Sequence, residues 1–340
     1  MRTECDAGHH PCRRHRRMGR RSSPTEASPR GRSPPSGAIF DARANRHMCV
    51  TGASLPRSAL WEPSLMRAKP RVAAVQMATG PNLNANLLEA ERLIRSAAEA
   101  GAGLVVLPEN FAFMGQRDGD SLSILEDDGD GPLQRFLAEI SARFGVWLVG
   151  GTIALRAQTS ARLRAASLVY NDQGVRVARY DKMHLFDVNL PGADEHYEES
   201  ATIEPGSSPV VVDSPFGRLG IVVCYDLRFP ELVRHMLDSG VEILAVPAAF
   251  TAVTGRAHWE TLVRARAIEN LAYVVASAQG GYHLSGRETH GHSMIVDPWG
   301  SILAQLPRGT GCICAAIDRG FQGSVRRTFP ALEHRRLKCK

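Results

Sequence analysis

Up to residue 69 the apolar residues follow no period, and from Arg71 onward they fall into two alternating kinds of pattern. Residues 72–77 form a short, nearly unbroken apolar run that predicts a buried strand. Residues 84–100 carry the spacing of an amphipathic helix, with Leu87, Leu88, Ala90, Leu93 and Ile94 expected to face inward. Strands are predicted over 104–107, 146–150, 162–170, 174–180, 210–212, 219–223, 243–246, 273–277 and 293–296, with a further strand-like stretch at 311–317. Helices are predicted over 133–144, 231–239 and 259–271. Alternation of helix and strand at this spacing argues for a layered α/β protein. No linker composition interrupts 71–337, so two regions are expected: a leader over 1–69 and one folded domain over 70–340.

Three of these strands end in residues able to do chemistry. The run Gly220-Ile221-Val222-Val223 stops at Cys224, a charged turn follows, and Pro230 suits the first turn of a helix. That strand-to-helix junction is the geometry that lifts a nucleophile out of a sheet, although a buried small hydrophobe is the commoner fate of a free cysteine. Leu104-Val105-Val106-Leu107-Pro108 delivers Glu109, and the strand ending at Tyr180 is followed by Lys182. A thiol, a carboxylate and an ammonium suffice to attack an amide or nitrile carbon. The carboxylate takes the thiol proton and the ammonium, with the backbone N–H of Tyr225, holds the developing oxyanion.

These three segments, in this order, resemble the Glu–Lys–Cys signature of the nitrilase (carbon–nitrogen hydrolase) superfamily, from about Arg71 to about Leu337. The resemblance implies a four-layer α-β-β-α sandwich, which periodicity alone does not distinguish from three layers. It also assigns Glu199, rather than its neighbour Glu198, as a second glutamate that orients Lys182 or the substrate amine. Stretches at 184–188, 254–260, 264–269, 291–300 and 333–336 resemble the deaminated glutathione amidase branch. The implied activity is hydrolysis of a primary amide to carboxylate and ammonia through a thioester on Cys224, with deaminated glutathione as substrate. The alternative is an ω-amidase acting on small keto-acid amides such as α-ketoglutaramate. A true nitrilase fits less well, because such enzymes continue Cys-Trp-Glu where this chain has Cys224-Tyr225-Asp226. No metal and no organic cofactor are expected. A homodimer or larger homo-oligomer is what the resemblance implies.

A substrate of this kind carries carboxylates, which call for guanidinium forks. Arg228, four residues past Cys224, either reaches a substrate carboxylate or ties the helix start to the sheet. Arg256 and Arg287 are weaker candidates on loops. His258 and Trp259 are expected to pack in the interior, and His290 and His292 to line or cap the pocket.

Composition adds limits. Residues 1–69 hold 14 of the 41 basic and 5 of the 35 acidic residues, a balance of +9. The other 27 basic and 30 acidic residues give the body a balance of −3, which offers no basis for nucleic-acid binding by the folded domain. The leader, rich in Arg, Ser and Pro, reads as a basic tail able to touch RNA or membranes, as a transit peptide, or as sequence upstream of a true start at Met66. The last is the favoured reading. Cys5, His9, Cys12 and His15 lack a second ligand pair for a metal site. Seven cysteines without repeated spacing predict no disulfide framework, and a working thiol fits a reducing cytoplasm. No apolar run reaches the roughly 18 residues that a membrane span needs.

Overall fold

The computed structural model describes residues 69–117, 119–190 and 196–337. All of them belong to one compact unit, Ser64–Lys340. Residues 1–68 of the expected leader, including Cys5, His9, Cys12 and His15, lie outside the described residues.

In chain order the elements are β1 (Arg71–Gln76), α1 (Leu83–Glu99), β2 (Ala102–Val106), α2 (Pro132–Phe144), β3 (Trp147–Val149), β4 (Ile153–Arg156), β5 (Leu163–Tyr170), β6 (Arg176–Asp181), β7 (Asp187–Asn189) and β8 (His196–Glu198). There follow β9 (Val210–Ser214), β10 (Gly217–Ile221), α3 (Pro230–Met236), β11 (Ile243–Ala248), α4 (Ala252–Thr254), α5 (Glu260–Asn270), β12 (Tyr273–Ala278), β13 (Ser293–Val296), β14 (Ile302–Leu306), β15 (Gly311–Ala316) and α6 (Arg319–Thr328). One sheet runs β15-β1-β2-β3-β5-β4, with β6 added on β5; the other runs β14-β13-β12-β11-β10-β9. Each sheet has a parallel centre, β1-β2-β3 and β10-β11-β12, bounded by antiparallel strands. Parallel neighbours require a crossover, and α1, α2, α3 and α5 supply the four that are needed.

Side-chain alternation along the strands sorts the core into layers. Val72, Ala74, Leu104 and Val106 meet Leu219, Ile221 and the rest of the second sheet, and α3 and α5 close that cluster from outside. Ala73, Val75, Val105 and Leu107 turn the other way, onto Leu93 and Ile94 of α1 and Leu133, Leu137 and Ile140 of α2. The result is the four-layer α-β-β-α sandwich.

Most predicted elements stand where the apolar pattern put them, with informative departures. Leu88 is 70% exposed, not inward. The buried stripe of α1 is Ala90, Leu93, Ile94 and Ala97, and at 100° per residue Leu88 falls on its far side. The period did not reveal α6, because polar contacts tether it as much as apolar ones do. Asp318 caps it by accepting from the Phe321 N–H at 2.9 Å, and Gln322 and Arg326 donate to the carbonyls of Glu242, Leu271 and Val241. Cys312 and Cys314 share one face of β15, as alternation requires, and pack on the α1 side.

Candidate active site

Cys224 follows β10 and opens a 3-10 turn, Cys224–Arg228, which leads to Pro230 at the start of α3. Its φ is +50°, a left-handed conformation that an ordinary side chain adopts only when the surroundings enforce it. The enforcing group is Asp226, which is fully buried. One of its carboxylate oxygens accepts from the Val223 N–H at 2.9 Å and the Tyr180 hydroxyl at 2.7 Å. The other accepts from the His184 N–H at 2.9 Å and lies 2.7 Å from His184 Nδ1. His184 in turn stacks on Phe229, with ring centroids 3.7 Å apart. The sequence pattern gives Asp226 and His184 no role in the site; the available signal is a carboxylate two residues past a cysteine that ends an apolar strand.

Glu109 comes from the loop beyond β2, and the next residue, Asn110, has φ +56°. Gln279 donates to the Glu109 carbonyl at 2.9 Å, and Asn110 N–H donates to Thr152 Oγ1 at 2.8 Å. Lys182 directly follows β6 and is 1% exposed. Its Nζ donates to Glu109 Oε1 at 2.8 Å and to both Glu199 carboxylate oxygens at 2.9 and 2.8 Å. Glu199 also accepts from the Phe186 N–H at 2.9 Å. The neighbouring Glu198 is largely exposed and points toward His196 instead.

Burial would pull the Lys182 pKa down, but the Glu109 and Glu199 carboxylates outweigh it and hold the ammonium well above its ordinary range. For Cys224 burial and the Glu109 carboxylate act together against ionisation, and the Lys182 charge and a backbone hydrogen bond at Ala249 oppose them without prevailing. The thiol is therefore raised well above the usual range and rests protonated beside a carboxylate that can receive its proton. The N–H of Tyr225 belongs to the first amides of the turn, which have no partner within it.

Cys224, Glu109, Glu199, Tyr225 and Arg228 line one narrow pocket of about 20 Å³, closed by Phe250 and Thr251. Arg228 is partly buried, donates to His258 Nδ1 at 3.2 Å and lies over the rings of Phe250 and Tyr225 at 5.1 and 5.7 Å. Burial holds its pKa below the usual range, and no carboxylate among the described residues pairs with it. Arg287, a weak candidate from sequence, lines the same pocket, whereas Arg256 is exposed and lines neither this pocket nor the cavity next to it. Trp259 is fully buried and donates to the His292 carbonyl at 2.7 Å. His258 is exposed, contrary to expectation, because its face of the π-turn Gly255–Trp259 turns outward to meet Arg228. His290 and His292 stack on each other at 4.2 Å and line neither cavity. Among the described residues no group of three or more His, Cys, Asp or Glu is arranged to hold a metal ion, and no helix is long and apolar enough to cross a membrane.

Comparison with known proteins gives this geometry its context. Residues 71–327 match the carbon-nitrogen hydrolase family. A deaminated glutathione amidase of Yersinia enterocolitica is 42% identical over 267 residues, covering 78% of this chain and 93% of its own. The human deaminated glutathione amidase is 39% identical over 270 residues, covering 78% and 82%. The crystal structure of Saccharomyces cerevisiae Nit3, a member of branch 10 of the nitrilase superfamily, superposes with a TM-score of 0.70 at 31% identity over 79% of this chain and 97% of that one. With the family match spanning most of the described chain, this protein belongs to the carbon–nitrogen hydrolases of the nitrilase superfamily and is an amidase.

Proposed function

We propose that the protein hydrolyses the γ-linked amide of deaminated glutathione through a thioester on Cys224. The observation that carries the mechanism is the buried contact set Glu109–Lys182–Glu199 beside a protonated Cys224 thiol. Glu109 takes the thiol proton as Sγ attacks the carbonyl carbon. Lys182 and the Tyr225 N–H face the oxyanion, a stabilisation worth roughly 3–4 kcal/mol per preorganised donor. All three Lys182 protons are engaged in the resting site, so a bond to the oxyanion is exchanged for one of its two bonds to Glu199. Collapse breaks the C–N bond, and the proton held by Glu109 leaves on the amine. Water, deprotonated by Glu109, then cleaves the thioester and restores the thiol.

The substrate assignment rests on the relatives and on Arg228, a partly buried guanidinium beside the thiol with no carboxylate among the described residues paired with it. Chemistry amends one expectation. The γ-linked amide of deaminated glutathione is a secondary amide, so its leaving group is the amine of cysteinylglycine. Ammonia is the product only for short primary amides such as α-ketoglutaramate. A reducing, cytoplasmic setting suits the free thiol.

The test is product analysis by mass spectrometry, with wild type and Cys224→Ala incubated in parallel with deaminated glutathione and α-ketoglutaramate. Cysteinylglycine and α-ketoglutarate from the first substrate, absent with the variant, are the expected result. Turnover of α-ketoglutaramate alone would replace this reading with an ω-amidase, and turnover of neither would refute the substrate class.

A further inference from the structure

The narrow pocket opens into a second cavity of about 470 Å³, and the two share Asn110, Phe186, Glu199 and Arg287 in their walls. We propose that this outer cavity is the leaving-group subsite and that Arg287 holds the carboxylate of the departing amine there. The inference rests on the amidase reading above and extends it to the half of the substrate that departs.

Arg287 stands at the mouth between the two spaces. One corner of its guanidinium is pinned, with Nη2 donating to the Ala249 carbonyl at 2.8 Å. One face covers the Tyr197 ring at 5.0 Å. Its Nε–H is buried and has no acceptor among the described residues. No carboxylate among the described residues pairs with it, whereas Arg164, Arg179, Arg266 and Arg319 each have an acidic partner. A buried N–H without a partner costs free energy, and natural structures rarely leave one unless a ligand or water completes it. A planar anion is what a guanidinium fork fixed in this way completes best.

Volume decides which half of the substrate goes where. The space beside Cys224 is narrow, with Arg228 at its wall, and suits a slender acyl chain. Anything larger on the nitrogen side of the scissile bond must extend past Arg287 into the outer cavity. A dipeptide-sized amine with a terminal carboxylate suits that space. When the C–N bond breaks, this amine leaves through the outer cavity with the proton held by Glu109, and water enters the same way to reach the thioester.

The test measures kcat/KM for wild type, Arg287→Ala and Arg287→Gln on three substrates: deaminated glutathione, its analogue with a C-terminal carboxamide, and α-ketoglutaramate. Loss of a charge-assisted bond lowers the ratio of deaminated glutathione to α-ketoglutaramate turnover by about 10- to 100-fold in either variant. Wild type discriminates against the carboxamide by a similar factor, and the variants lose that discrimination. The glutamine variant keeps a polar, uncharged side chain at the position and so separates loss of the guanidinium charge from loss of the whole side chain. Equal losses on all three substrates, or carboxamide discrimination that survives in both variants, overturn the subsite. Wild type that cleaves α-ketoglutaramate but not deaminated glutathione overturns the functional reading and the subsite together. Cleavage of deaminated glutathione with indifference to Arg287 overturns the subsite alone.

Discussion

Replacing Asp226 by asparagine tests whether a buried carboxylate, rather than the surrounding apolar packing, fixes the nucleophile's turn. The carboxylate receives four contacts, two on each oxygen, and each oxygen serves one backbone N–H: Val223 on one side and His184 on the other. An asparagine has one oxygen and one NH2 group. Whichever way its amide is turned, the NH2 faces a backbone N–H, so that contact is lost, and the contact beside it survives only if the Tyr180 hydroxyl or His184 Nδ1 turns from donor to acceptor on an uncharged group. Bonds to a charged acceptor are worth roughly 1.5–3 kcal/mol each, so one lost outright and the others made to an uncharged group give an expected loss of about 3–6 kcal/mol. At about 2–4 °C per kcal/mol for a chain of this size, the melting temperature should fall on the order of 10 °C. The turn also carries the left-handed Cys224, which costs about 1–2 kcal/mol to hold and relaxes once the clamp is gone. A thiol displaced by about 1 Å loses roughly 100-fold in rate. The assay pairs thermal melting with steady-state kinetics, and kcat should fall while KM moves little, because Asp226 lies beneath the pocket rather than in its wall. Tyr180→Phe removes one contact and should give an intermediate result on both measures. Asp226→Asn with a melting temperature within about 2 °C of wild type and kcat within about threefold would refute the reasoning.

Three further outcomes follow from charges in the site and in β15. Glu109→Gln should lower turnover by about 10²–10⁴-fold as the base is lost. The same change removes the negative charge that, after burial, raises the Cys224 pKa, so the pH profile for alkylation by iodoacetamide should move to lower pH; a move to higher pH would contradict the assigned cause. Lys182→Met leaves the Glu109 and Glu199 carboxylates without their shared cation and should cost roughly 3–5 kcal/mol of stability. Because the Lys182 pKa is raised in the folded state, this stabilisation is complete below its unfolded pKa and is lost only as pH rises through the folded value. The melting-temperature gap between wild type and variant should therefore persist while an ordinary lysine, near 10.5, titrates. On β15, a hydrogen bond from Cys312 and the charge of Arg71 hold the Cys314 thiol down to about 7, while Cys312 is raised. Peptide mapping after alkylation of the Cys224→Ala protein at neutral pH should find Cys314 modified before Cys312, and Arg71→Ala should slow it.

What could be read from the sequence was whatever is encoded locally. Cys224 and Glu109 each follow a short apolar strand, so the abrupt change from apolar to ionisable marked them without any knowledge of the fold, and Lys182 was marked by its place just past a strand-like stretch. Arg228 was visible because it lies in the same turn as the nucleophile. Asp226 lay in plain sight, but its role depends on Tyr180 and His184, more than forty residues earlier in the chain, and no period relates them. Arg287 was weaker still, since it sits on a loop between β12 and β13 and gains its position only when the two sheets are stacked.

That division has a chemical counterpart. The buried cluster joins two carboxylates to one ammonium and a protonated thiol, so before substrate arrives it carries an excess of negative charge. Burial, and after it this excess, keeps the thiol from ionising, and the excess would also repel the dianionic substrate proposed above. Placing more cations inside the cluster would attract the substrate but would depress the thiol pKa and expose a resting thiolate to oxidation. On the proposed function, Arg228 and Arg287 resolve the conflict by standing at the pocket wall and mouth, outside the set of groups that touch Lys182. On that proposal the catalytic cluster can be common to amidases of many specificities, while the arginines around it select the substrate. A strand-end pattern therefore reveals the reaction more readily than it reveals the substrate.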